Sequence, residues 1–204
     1  MRDSGAPEAR GSKRTARCRL AGWIGLPVLL FLALSPSPFP PEHDRALASG
    51  AADAVPRQLQ VGSGDVQQNF ILPDLEGTGH ELKQQAGRVV LVHFFATWCA
   101  PCREELSSLS RLLERQGDGR SSILAVNVAE VPARVRRFLE TSPVNFPVLL
   151  DADRAVSKAW GVSILPTTFV LDRALVARLF VEGDVDWSRA DVLAALEQVG
   201  GAGR

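Results

Sequence analysis

The stretch "VHFFATWCAPCREEL", residues 92–106, places Cys99 and Cys102, two of the chain's three cysteines, where an apolar run gives way to a charged segment. A C-x-x-C pair can be a redox couple, half of a zinc site, a static disulfide or an accident of a buried turn. Just upstream, "RVVLVHFFA" (88–96) is nearly continuous in β-branched and aromatic residues, which predicts a central strand covered on both faces. Downstream of Pro101, Leu106, Leu109, Leu112 and Leu113 recur at helical spacing, and "QGDG" stops the helix at Gly117.

A strand, a cysteine, two residues, a second cysteine and a helix put Cys99 at or near a helix amino terminus. Unpaired backbone N–H groups and the helix dipole favour an anion there, in this case a thiolate. Since the thiolate is the attacking species in disulfide exchange, Cys99 is the candidate nucleophile. Cys102 sits one turn inside, where the i to i+3 spacing brings its sulfur near the first, and is the candidate resolving thiol. Pro101 lacks an N–H that would otherwise be orphaned in the first turn, and it fixes the local backbone. Trp98 can shield one side of the sulfur pair. Structural zinc usually takes four Cys or His ligands, whereas this region offers two cysteines with His80 and His93 scattered and without the usual spacing. A static disulfide closing so short a loop gains little chain entropy. A redox-active dithiol is favoured over both.

The 204 residues suit one domain with appendages, and 46% hydrophobic and 23% charged content are those of an ordinary globular protein. Lys plus Arg and Asp plus Glu are equal at 23 each, so no global field favours nucleic acid. Three cysteines are too few to build a disulfide scaffold. Residues 1–19 carry Arg2, Arg10, Lys13, Arg14, Arg17 and Arg19 against Asp3 and Glu8, and "LAGWIGLPVLLFLAL" then runs uncharged from Leu20 to Leu34. A basic segment before an apolar one is the pattern of an export signal, with positive charge kept on the cytoplasmic side. The segment 20–39 is expected to be a retained anchor in preference to a cleaved signal, although Ala46-Leu47-Ala48 has the form of a cleavage site. Cys18 precedes the apolar run, so it does not suit a lipid attachment site. Residues 40–65, rich in Pro, Ala, Ser and Gly, are expected to be a flexible linker.

The folded domain is expected over 66–200. "NFILPDLEGTGHEL" predicts a hairpin of two short strands. "SILAVNV" (122–128) predicts a strand, a helix starts at Pro132, "FPVLLD" is a short strand and "ADRAVSKAWGV" a helix. "TTFVLD" and "ALVARLFVEG" are strands, and "WSRADVLAALEQVG" closes the chain as a helix. Alternating strands and helices that finish in a strand pair predict an α/β fold, a mixed sheet flanked by helices. Trp160 and Trp187, like Trp98, are more often packing residues than ligands.

"VHFFATWCAPCREEL", "AVNVAE", "VNFPVLLDADRAVSKAWGV", "LPTTFVLD" and "EGDVDW" together resemble the membrane-tethered thioredoxin-like proteins of the TlpA, ResA and CcmG kind. "WCAPC" with "LPTT" about 65 residues later carries most of the specificity. The resemblance implies a thioredoxin-like fold with an N-terminal β-hairpin and a βα insertion between the second strand and second helix of the core, with "FPVLLD" in the insertion. It implies that Pro166 is cis and lies against the cysteines. Leu165 would then pair with an extended substrate by strand addition, with Thr167 in the same substrate-facing loop.

By the same resemblance Glu105, three residues beyond Cys102, could relay a proton to or from that thiol. Glu130 ends a strand where related proteins often have an acid. For both, the alternative is a solvated charge. His93 stands where thioredoxins have a buried aspartate and TlpA-like proteins often an asparagine. It could act as a base for Cys102, stabilise a thiolate if protonated, or be a neutral hydrogen-bonded core residue. Ser107 replaces a frequent family proline that kinks the helix, so a straighter helix is expected.

The implied function is an exported thiol-disulfide oxidoreductase on the periplasmic or extracytoplasmic side of a bacterial inner membrane, held there by its N-terminal segment. Electrons would come from a membrane thiol transporter of the DsbD or CcdA type and pass to an oxidised protein such as an apocytochrome c before haem attachment. No metal, nucleotide or flavin is implied, and no nucleic acid. Two alternatives stay open: a thiol peroxidase related to the peroxiredoxins, and a non-catalytic binding or chaperone module using the Leu165–Pro166 groove.

Overall fold

The computed structural model describes residues 59–117 and 119–201. Cys18, the basic segment 1–19, the apolar segment 20–39 and the linker up to residue 58 lie outside the described residues. Among those described, no helix is long and apolar enough to cross a membrane.

The apolar run becomes β4 (Val89–Phe95), every residue of it buried, and it is flanked by parallel β5 (Ser121–Val128) on one side and antiparallel β7 (Thr167–Leu171) on the other. Beyond β5 lies parallel β6 (Val148–Asp151). Beyond β7 come antiparallel β8 (Ala177–Glu182) and the short edge strand β1 (Gln60–Val61). The six-stranded order is β1-β8-β7-β4-β5-β6, with the hairpin β2 (Ile71–Pro73) and β3 (Gly79–Glu81) separate from it. Helices α1 (Ala100–Gln116), α2 (Pro132–Thr141), α3 (Ala155–Ala159) and α4 (Ala190–Gly201) complete a thioredoxin-like fold. As expected, α2 and β6 form an insertion between β5 and α3, and the N-terminal hairpin is present.

The period of two in β4 sorts its side chains between two cores. Val89, Leu91 and Phe95 meet Leu106, Leu109 and Leu112 of α1 and Val192, Leu196 and Val199 of α4. Val90, Val92 and Phe94 meet Leu72, Leu82 and Trp160. Full burial of each such side chain stabilises the fold by about 1.5–3 kcal/mol. Helix α1 ends where "QGDG" predicted, at Gly117 with φ 67°, and it runs unbroken through the exposed Ser107. Helix α3 is shorter than "ADRAVSKAWGV" suggested, because Gly161 at φ 70° turns the chain away.

The sheet also begins earlier than residue 66. Leu59 is buried in the core, Gln60 and Val61 pair with Phe180 and Leu179, and Val66 bridges to Val176. Between them Gly62 passes so close to β8 that a Cβ there would lie 2.5 Å from the Ala177 carbonyl oxygen. Two-residue strands have no readable period, which is why this edge hides inside a low-complexity stretch.

Candidate active site

Strand β4 ends against α1, and the turn between them carries the cysteines. Cys99 is the N-cap of α1 with an extended backbone at φ −81°, and the Cys102 backbone N–H donates to its Sγ at 3.4 Å. Pro101 lies in the first turn of the helix, as its missing donor suits. Cys99 and Cys102 are joined as a disulfide with their Cα atoms 5.3 Å apart. The two are not equivalent, since Cys99 keeps 6% of its surface exposed and Cys102 none.

The Leu165–Pro166 peptide bond is cis. The Leu165 carbonyl oxygen lies 3.8 Å from Cys99 Sγ, so the loop before β7 is brought to the more accessible sulfur from 66 residues away. Thr167 is buried and turns its hydroxyl back to donate to the Ile164 carbonyl at 2.8 Å. Trp98 is 63% exposed and, with Ile164 at 50%, stands beside the disulfide on the solvent side.

Beneath Cys102 lies a buried polar cluster. Glu105, on the same face of α1, accepts a hydrogen bond on Oε1 from Trp187 Nε1 at 2.5 Å, while its Oε2 has no partner among the described residues. Burial pushes the Glu105 carboxyl up to about 8; the charge of Asp184 adds to this, while the Trp187 and Thr168 hydrogen bonds oppose it. The group is therefore a neutral acid at pH 7. On its outer side it shares the wall of a cavity of about 210 Å³ with Glu104, Ser108, Arg111, Asp184 and Asp186.

His93, fully buried in β4, faces Thr168 with Nδ1 2.9 Å from its Oγ1 and stacks on Phe95. Burial pushes its imidazole down to about 3. It is accordingly neutral, and its 3.8 Å approach to Glu105 is not a salt bridge at neutral pH. Of the roles open to His93 from the sequence, an imidazolium that stabilises a thiolate is the one its burial opposes.

Glu130 is placed differently. Its carboxylate accepts from the Thr97 backbone N–H at 2.6 Å, the Thr97 hydroxyl at 2.6 Å and Asn127 Nδ2 at 2.7 Å, with Arg134 at 3.9 Å. It is a buried tie from the end of β5 to the residue two before Cys99. Glu130→Ala should leave the Thr97 and Asn127 donors buried without a partner, costing on the order of 2–4 kcal/mol. Equilibrium denaturation of the oxidised chain checks this, and a loss below about 1 kcal/mol would mean the tie is solvated. His80 lies elsewhere, paired with Asp74 at 2.8 Å in the hairpin turn.

Sequence reasoning named Glu105, Glu130 and His93 singly but missed what they touch. Trp187, read as packing, donates to Glu105; Thr168 serves His93; Thr97 and Asn127 serve Glu130. All four lie in or beside quoted motifs, Thr97 before "WCAPC", Asn127 in "AVNVAE", Thr168 in "LPTTFVLD" and Trp187 in "EGDVDW", but nothing in those motifs says which buried group each one meets.

A six-stranded sheet of this topology, with a disulfide at the helix amino terminus facing a cis-proline loop, defines a thiol-disulfide oxidoreductase of the thioredoxin fold. Residues 63–178 match the AhpC/TSA family. The thiol-disulfide oxidoreductase ResA of Geobacillus thermodenitrificans is 34% identical over 142 residues, covering 68% of this chain and 79% of that protein. A protein assigned as the thiol:disulfide interchange protein DsbE of Chlorobium tepidum superposes with a TM-score of 0.60 at 29% identity, over 70% of this chain and 98% of that one. A secreted thiol-disulfide isomerase of Corynebacterium glutamicum gives 0.61 at 24% identity, over 70% and 92%, a likeness of fold alone. The chain belongs to the AhpC/TSA family and to the TlpA/ResA/CcmG-like thiol-disulfide oxidoreductases.

Proposed function

We propose that this protein is an extracytoplasmic reductase of protein disulfides. The observation that carries the proposal is the asymmetry of the sulfur pair: Cys99 at the helix amino terminus beside the Leu165 carbonyl, Cys102 sealed beneath it. In the reduced protein the Cys99 thiolate attacks one sulfur of a substrate disulfide. That bond breaks, the other substrate sulfur leaves as a thiolate, and a mixed disulfide forms. Cys102 then gives up its proton and attacks Cys99 Sγ, regenerating the Cys99–Cys102 disulfide and releasing the second substrate thiol. The protein loses two electrons and the substrate gains them.

The backbone of Leu165 holds the extended substrate by strand addition, Pro166 and the buried Thr167 fix its position at the start of β7, and Trp98 and Pro101 border the attacked sulfur. Glu105, buried on the Cys102 face, takes in its ionised form the proton that Cys102 releases, a form that is a minor fraction at pH 7 and grows as pH rises toward 8, and His93 and Glu130 hold the surroundings in place. Similarity to ResA and to the DsbE-type protein supports thiol-disulfide exchange, and the reductive direction rests on the motif resemblance. The basic-then-apolar amino terminus supports export and an anchor at 20–39. Electrons arrive from a membrane thiol transporter of the DsbD or CcdA type, and an apocytochrome c is the substrate proposed. The reduction potential of the full chain, by equilibration in thiol redox buffers, tests the direction. A value near or below ~−270 mV supports a reductant, and a value near ~−120 mV makes the protein a disulfide donor.

A further inference from the structure

Beside the disulfide lies a cavity of about 330 Å³. It begins at Trp98, immediately before the attacking cysteine, and at Leu165, whose carbonyl lies against Cys99 Sγ. Val128, Val162 and Ile164 extend its apolar wall, and Arg154 supplies its charge. The size suits one long side chain, and pockets of this kind commonly pair an apolar lining with a few polar groups that fix orientation.

The nearby carboxylates are engaged elsewhere. Asp151 accepts from the Val156 and Ser157 backbone N–H groups at 3.1 and 2.8 Å, and Asp153 from that of Ala155 at 3.0 Å. Glu130 is held by Thr97 and Asn127, and Glu182 accepts from Ser163 on the far rim at 3.3 Å. Among the described residues Arg154 has no ion-pair partner. Arg103, whose guanidinium donates to the Thr97 carbonyl at 3.3 Å, adds a second positive charge to the motif. A guanidinium beside an apolar recess favours a side chain with a hydrocarbon stem and an anionic end, because the fork of donors matches a carboxylate and the walls exclude water.

Resting on the disulfide-reductase function proposed above, we propose that this cavity is a specificity pocket that receives a carboxylate-bearing side chain flanking the attacked cysteine of an extended polypeptide. Trp98 and Ile164 cover the stem and Arg154 binds the carboxylate. The substrate class is thus a disulfide in an unfolded segment with Glu or Asp next to the cysteine, and recognition weakens as salt screens the charge.

The test uses the full chain, pre-reduced, and disulfide-linked peptides that differ only in Glu, Gln, Lys or Phe beside the cysteine, in both flanking positions. Second-order rates of peptide reduction are compared as ratios within each variant, so any general change in reactivity cancels. For the wild type the Glu:Gln ratio is expected to be about fivefold in one flanking position, falling toward one at high ionic strength. Arg154→Gln should bring the ratio to about one at all salt concentrations, and Arg154→Glu should reverse the order of Glu and Lys. A ratio unchanged in both variants, or Phe preferred over Glu, overturns the pocket while leaving the disulfide chemistry standing. A wild-type chain that reduces none of the peptides, nor a small neutral disulfide, overturns the reductase function itself and the pocket with it.

Discussion

A Cys102→Ser chain, reduced and mixed with a disulfide-bonded peptide, is expected to accumulate as a covalent adduct through Cys99, with turnover falling to the uncatalysed rate. Cys99→Ser should form no adduct through Cys102 and should also fail to turn over, both chains carrying Cys18→Ser so that the third cysteine forms no adduct of its own. The two losses have different origins. Without Cys102 no internal thiol can attack the mixed disulfide, so the intermediate persists. Without Cys99 the remaining active-site thiol, Cys102, has no exposed surface and cannot meet a substrate sulfur. Mass spectrometry without reductant reads both outcomes. An adduct through Cys102 in the Cys99→Ser chain would invert the assignment and mean that α1 opens at its first turn.

The second large effect concerns Glu105 and pH. Its carboxyl ionises near 4.5 in the unfolded chain but only near about 8 when folded. A raised folded value means the stability is fully present below pH 4.5 and is lost as pH rises toward 8. His93 works in the opposite sense. Its folded imidazole is depressed to about 3 against 6.5, so the stability tied to it is present above pH 6.5 and is lost as pH falls from there. Asp74, Asp172, Asp186 and Asp191 have folded values below 3.8 and act only in strong acid.

The window from 6.5 to 8 therefore belongs to Glu105. Across it the oxidised wild type should lose roughly 2 kcal/mol that Glu105→Gln does not lose. Denaturant midpoints at three pH values suffice to see it. Parallel pH curves for the two chains would mean that the outer cavity hydrates the carboxylate and leaves it ionised at neutral pH. In turnover the same substitution should remove a pH-dependent limb near 8 from the step in which Cys102 attacks, since glutamine can accept no proton.

Most of the architecture could be read from periodicity. The run Val89–Phe95 was recognisable as a central strand because burial on both faces leaves no polar position. The α1 leucines and the stop at Gly117 follow from helical spacing and a residue tolerant of positive φ. Edge strand β1 could not be read, because two residues against β8 make a strand by pairing and not by composition. At the site, "WCAPC" announced itself through local chemistry, a thiol at a helix start, and "LPTT" through its resemblance to a family motif. The pairings of the buried polar groups did not. Trp187 lies 82 residues from Glu105 and Thr168 lies 75 from His93, and no period or spacing links them.

The sequence by itself determined the disulfide couple, the strand–helix order and the export-like amino terminus, because each depends on residues that are neighbours in the chain. Tertiary structure alone decided which sulfur meets solvent, that Glu105 is held neutral and Glu130 is tied to Thr97, and that Arg154 borders a recess beside Trp98. Those properties depend on burial and on distances across the sheet. Desolvation and hydrogen bonding are set by what the fold packs around a group, and of two identical side chains here Glu130 has both carboxylate oxygens hydrogen-bonded while Glu105 keeps one without a partner among the described residues.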